Sequence, residues 1–148
     1  MPGGNGNGGD IARSIDALRD SEASVRLGAV YSLGVSGEFA VRRLVDELCN
    51  APEPGEKRDD PMLLNSANAL SAIGAPSVPA LTPLVSDDSN CWVRANAADV
   101  LGDIGKAATT AVSALIQALE DESEWVRRNS VNALGTVGGG VDAVIAAL

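Results

Sequence analysis

Two tryptophans mark where this chain could do chemistry. Trp92, Asn96, Asp99 and Asp103 stand at i, i+4, i+7 and i+11, and Trp125, Asn129, Asn132 and Thr136 repeat that spacing farther along. On a helix such spacing draws a single stripe. Indole faces, amides and carboxylates on one stripe suit a binding surface, because aromatic area comes at low entropy cost and the polar groups add selectivity. Looser versions of the stripe are Pro61, Asn65, Asn68 and Ala72, and Ser24, Gly28, Tyr31 and Val35. Side by side, the four stripes would form a band holding both tryptophans and the single tyrosine of the chain. The candidate binding residues are therefore Tyr31, Asn65, Asn68, Trp92, Asn96, Asp99, Asp103, Trp125, Asn129 and Asn132. A plainer reading of Asn65, Asn96 and Asn129 is a ladder of hydrogen bonds between neighbouring repeats, with the tryptophans packed over the turns. Asp99 and Asp103 could share a proton or a cation, but no third ligand stands at a matching place, so no metal site is assigned.

Other residue types exclude whole classes of activity. The chain has no histidine, which removes the His-based metal sites, the Ser-His and Cys-His nucleophile pairs and the commonest general base. A net charge of −9 opposes the tracking of phosphates, so nucleic acid is not an expected partner. No catalytic residue is assigned. Cys49 and Cys91 belong to no CxxC pair and read as reduced thiols of a cytoplasmic protein. No apolar run approaches 18 residues, so no membrane span is expected. Arg26, Arg94 and Arg127 each follow a valine near an acidic turn (Asp20, Asp88, Asp121) and are read as structural bridges between adjacent repeats.

The elements that must carry the stripes announce themselves by repetition. Trp92, Val93, Arg94, Asn96, Leu101, Gly102 and Gly105 recur 33 positions on as Trp125, Val126, Arg127, Asn129, Leu134, Gly135 and Gly138. Weaker copies hold Val25-Arg26, Leu33-Gly34 and Gly37, and Asn65, Leu70, Ile73 and Gly74. Self-similarity of this kind signals a stacked array of helix pairs, in which each repeat buries its apolar stripe against the next. Residues 1–10 read as a disordered leader, and 11–148 as one repeat domain with units at about 11–37, 41–74, 78–105 and 112–138. Val141 to Leu148 copies Val112 to Leu119 and makes a half repeat, expected to promote self-association. Cys49 to Pro61 is a Pro- and charge-rich insertion between two helices; Pro61 opens the second of them, and Pro83 should interrupt the third outer helix. Aromatics make up only 3%, so the core must be Ala, Val, Leu and Ile.

The Val-Arg pairs, the Leu-Gly-x-Ile/Val-Gly endings and Val78-Pro-Ala-Leu81 resemble the HEAT-like repeat of the phycobilisome-lyase type, over residues 11–148. The resemblance implies an all-α fold, a right-handed, armadillo-like α-solenoid (an α-α superhelix) of about four helix pairs plus a half repeat. Two functions follow as expectations. The first is a protein-interaction scaffold that binds another protein through the inner-helix face and needs no cofactor. The alternative, implied by the resemblance alone, is a phycobilin lyase subunit or phycobilisome-associated factor. In it the band would hold a bilin or a phycobiliprotein, with Asp99 facing the pyrrole nitrogens.

Overall fold

The computed structural model describes residues 6–50, 61–87 and 89–138. Its helices are α1 (Gly6–Ala17), α2 (Ala23–Ser36), α3 (Glu38–Cys49), α4 (Pro61–Ile73), α5 (Val78–Leu81), α6 (Leu84–Asp87), α7 (Cys91–Ile104), α8 (Val112–Gln117) and α9 (Glu124–Val137). Short 3₁₀ turns cover Ala75–Ser77, Gly105–Ala111 and Ala118–Glu120. The helices form two layers. In the inner layer α2 packs on α4, α4 on α7 and α7 on α9; in the outer layer α1 meets α3, α3 meets α5 and α6 meets α8. This is an all-α solenoid.

Leucine dominates the seam between the layers. Ile15, Leu18, Leu44, Leu48, Leu81 and Leu115 come from the outer side, and Leu33, Leu70, Val93 and Leu101 from the inner side; all are fully buried. No aromatic residue belongs to this cluster. Small side chains let the inner helices approach closely, which is what the Ala-rich stripes of α4 and α7 provide.

Each inner helix stops at a glycine with positive φ: Gly37 (59°), Gly74 (78°), Gly105 (72°) and Gly138 (80°). That backbone region is open to glycine and strained for other residues, so these four positions punctuate the array. Pro83 splits the third outer helix into α5 and α6, as its missing N–H requires. Thr82 Oγ1 donates 2.7 Å to the carbonyl of Val78 at the break.

One expectation is corrected: the first helix begins at Gly6, so 6–10 are not an unstructured leader. In the fourth outer helix α8 ends at Gln117 and a 3₁₀ turn follows. The insertion loop (51–60) and the half repeat (141–148) lie outside the described residues.

Ser66 and Ser130 occupy the core stripe at the place held by Ala29 and Ala97 in the other repeats. Both are fully buried, and neither hydroxyl has a hydrogen-bond partner. A buried unsatisfied hydroxyl costs about 1–3 kcal/mol, and alanine is the better helix former. Ser130→Ala and Ser66→Ala are therefore each expected to raise stability by about 1 kcal/mol. Urea unfolding checks this; a clear loss in either variant would mean that the hydroxyl has a partner.

Candidate binding site on the inner layer

The site is built by the register between α7 and α9. Asn90 caps α7, its Oδ1 accepting from the Trp92 N–H at 2.9 Å, which fixes the first turn and with it the indole. Gly102 lacks a side chain where Ala133 arrives. Two side chains of α9 then donate to backbone carbonyls of α7: Asn129 Nδ2 to Ala95 O at 2.9 Å, and Thr136 Oγ1 to Gly102 O at 2.7 Å. With the helices locked, the first-turn tryptophans meet. The rings of Trp92 and Trp125 lie 5.6 Å apart at 34°, and the Arg128 guanidinium sits 6.0 Å from the Trp125 ring centre. Such a contact combines ring pairing with a cation–π attraction.

Along α7, Asp99 follows Trp92 by two turns and Asp103 by three, about 10 Å and 16 Å along the axis. Both are exposed. The partial burial of Asp99, and then the like charge of Asp103 one turn on, raise its carboxyl above the ordinary value. Among the described residues neither carboxylate has an ion-pair partner. Asn68 on α4 and Asn132 on α9 flank Asp99 at the equivalent positions and are also exposed. The arrangement offers a flat hydrophobic step and, on the same face, a carboxyl group facing solvent.

The remaining candidates divide. Asn65 reaches across the array, Nδ2 donating 3.0 Å to Leu18 O. Asn96 instead turns back on its own helix, to Trp92 O at 2.8 Å. The asparagines thus do not form one continuous ladder. Tyr31 is 75% exposed on α2, in a groove with Asp10, Ser32, Val35, Ser36 and Phe39. With α4 between α2 and α7, it is not brought to the tryptophan pair.

The arginines are corrected in part. Arg94 does bridge repeats: it makes a paired hydrogen bond to Asp121, Nε to Oδ2 at 2.8 Å and NH2 to Oδ1 at 2.9 Å, and both side chains are largely buried. For Arg26 and Arg127 no carboxylate of another repeat stands within reach among the described residues. Arg26 donates to the carbonyls of Asp20 and Ser21, and Arg127 to those of Asp121 and Glu122, so each closes its own turn. At the fourth position of its helix each guanidinium reaches the carbonyls of the turn that precedes it. Arg128 was missed among the candidates, although its place three residues after Trp125 puts it on the ring's side of the helix.

Comparison with known proteins agrees with this architecture. A family model of HEAT repeats matches residues 78–148. Among solved structures, the complex of CpcE and CpcF of phycocyanin lyase from Nostoc sp. PCC7120 is similar, with 18% identity, a TM-score of 0.60, and 94% of this chain and 88% of that chain covered. No curated protein matches the sequence. Among the described residues no helix is long and apolar enough to cross a membrane.

Proposed function

We infer that this HEAT-like repeat protein, with the architecture of a phycocyanin-lyase subunit, handles a linear tetrapyrrole or the protein that carries one. The observation that supports this most is the joined pair Trp92 and Trp125, on the same face as Asp99. A conjugated, elongated chromophore would lie against the indoles and extend along α7. Asp99 would meet the pyrrole nitrogens, and the amides of Asn68 and Asn132 would meet polar edges of the ligand. Arg128, beside Trp125, would serve a propionate. The similar solved structure is a complex of two chains, which favours a role in company with a protein partner. The chain's contribution in this reading is binding and orientation; with no histidine, none of its residues is assigned a bond-making step.

Titration with a bilin, followed by the chromophore's absorbance, tests the reading. The wild-type chain should shift and sharpen the band with saturation, and Trp92→Ala combined with Trp125→Ala should weaken binding at least tenfold while helical content is kept. A flat titration at high micromolar bilin would overturn it.

A second reading, a scaffold for a protein without chromophore, is favoured by Leu27 and Leu64, which are exposed on the same inner layer. It predicts capture of a protein partner that competes with neither bilin nor the tryptophan substitutions.

A further inference from the structure

We propose that the solenoid bends at the seam between α4 and α7, with α1 to α5 moving as one body and α6 to α9 as the other. Neighbouring inner helices come closest at one equivalent position, and in α2 and α7 that position is a glycine. A Cβ on Gly34 would lie 3.2 Å from Ala72 Cβ; one on Gly102 would lie 2.9 Å from Ala133 Cα and 3.4 Å from Thr136 Oγ1. In α4 the equivalent residue is Ser71. Opposite it, α7 carries Val100 and Asp103 where α9 carries Ala133 and Thr136. Each side chain is bulkier or charged where the other seam has a smaller or neutral one, and bulk at such points holds two helices apart. α7 accordingly lies along α9 far more extensively than along α4. Leu64 reports the gap: it is 64% exposed on α4, whereas its equivalent on α7, Ala95, is 2% exposed.

Polar bonds divide the molecule at the same place. On one side, α9 is tied to α7 by Asn129, by Thr136 and by the Arg94–Asp121 pair. On the other, Asn65 of α4 donates 3.0 Å to Leu18 O, and Arg19 donates 2.8 Å to Glu47 of α3. Between α4 and α7 the equivalent groups turn back on their own helices: Asn96 donates to Trp92 O at 2.8 Å, and Ser71 to Ala67 O at 3.0 Å. Leu63 stands where Arg94 does, so this seam has no guanidinium to bridge it. At these positions, among the described residues, α4 and α7 exchange no hydrogen bond or ion pair.

The outer layer yields at the same level of the stack. Pro83 separates α5 from α6, and around it the N–H groups of Val85 and Ser86 reach carbonyls three residues back at 3.4 and 3.3 Å, long for such bonds. α5 stays with the first body: it packs on α3, and the buried Ser77 just before it donates 2.9 Å to Leu70 O of α4. α6 stays with the second, against α7 and α8. The chain passes between the bodies once, at Thr82–Pro83. A hinge needs this arrangement, a few backbone positions that absorb the change between parts that stay packed. Trp92, Trp125, Asp99 and Arg128 ride together on the second body, and Leu64 and Asn68 on the first. Bending therefore alters the width of the inner face beside the tryptophan pair and leaves the pair itself intact.

Double electron–electron resonance between spin-labelled cysteines tests this, in a background of Cys49→Ser and Cys91→Ala. Asn68→Cys with Gln117→Cys spans the seam. Asp16→Cys with Asn68→Cys lies within the first body, and Asp99→Cys with Gln117→Cys within the second; all four positions are exposed. The pair across the seam should give a distance distribution about twice as wide as either pair within a body. Ser71→Gly combined with Val100→Ala and Asp103→Thr copies the α7–α9 seam into this one, and should narrow that distribution to the width of the other two. Equal widths for the three pairs, a wider distribution within a body than across the seam, or a width that the triple variant leaves unchanged with its circular dichroism kept would each overturn the proposal. Should the triple variant fail to fold, the three widths measured with the natural seam decide alone.

Discussion

Asp121→Ala is expected to destabilise the protein by about 3 kcal/mol or more. The carboxylate sits in the turn before α9 and answers a guanidinium on α7, so its loss takes the paired charge-assisted bond from the largely buried Arg94. Glu122, 3.6 Å from Arg94 but mostly exposed, is a poor substitute. The substitution also removes the acceptor for the Ser123 N–H, a bond of 2.8 Å that shapes the entry to α9. Breaking one partner of such a pair costs more than removing both, so Arg94→Met with Asp121→Leu should recover much of the loss. Equilibrium urea unfolding of the three variants decides; equal losses for the single and double variants would mean that the pair contributes nothing as a pair.

The same pair sets an acid dependence. Burial alone would raise the Asp121 carboxyl, but the hydrogen bonds from Arg94 and the Ser123 N–H, with the charges of Arg94 and Arg127, outweigh it and hold the group below its ordinary value. The folded state therefore binds this proton less readily than the unfolded chain. The stabilisation is complete above the ordinary carboxylate range and is lost as pH falls toward the folded value. Asp99 has the opposite sign, because its proton is held more readily in the folded state, and it favours folding as pH falls through its raised range. In Asp121→Asn the part of the acid destabilisation due to Asp121 should vanish, leaving the rest of the profile.

The second large effect is at Gly102. Alanine there brings a Cβ within 2.9 Å of Ala133 Cα, and the obstruction is backbone, which cannot rotate away. The inner helices must separate, loosening the Thr136 and Asn129 bonds to α7 and widening the tryptophan pair. Overpacking of this kind costs about 1–3 kcal/mol, more than the gain of about 1 kcal/mol in helix propensity. Gly135→Ala, at the matching position with nothing within 4 Å of the new Cβ among the described residues, should instead stabilise the protein by about 1 kcal/mol. The pair of substitutions reports whether the glycines serve helix contact; thermal unfolding in dilute solution gives the answer. Similar effects at both sites would contradict the close packing of α7 on α9.

The repeated stripe made the architecture readable from residues alone. Glycines after leucine, Val-Arg at the helix starts and the apolar spacing gave the inner helices and their stops, because those features are local. What depends on register between helices was not legible. Trp92 and Trp125 sit at equal places, but only the closeness allowed by Gly102 brings their rings together. Asn96 and Asn129 are equivalent in sequence, yet one bonds across the array and the other along its own helix. Arg26, Arg94 and Arg127 likewise share a position, and among the described residues only Arg94 meets a carboxylate of the next repeat. Tyr31 was grouped with the tryptophans by phase on the helix, which says nothing of the helix that lies between.

The central claim, that the tryptophan face of α7 and α9 receives a tetrapyrrole, is tested most directly by intrinsic fluorescence during a bilin titration. Trp92 and Trp125 are the only tryptophans, so the signal comes from the site itself. The account predicts saturable quenching that runs in parallel with the chromophore's absorbance shift and at the same midpoint. An absorbance shift with unquenched tryptophans, or no change in either signal, would contradict it.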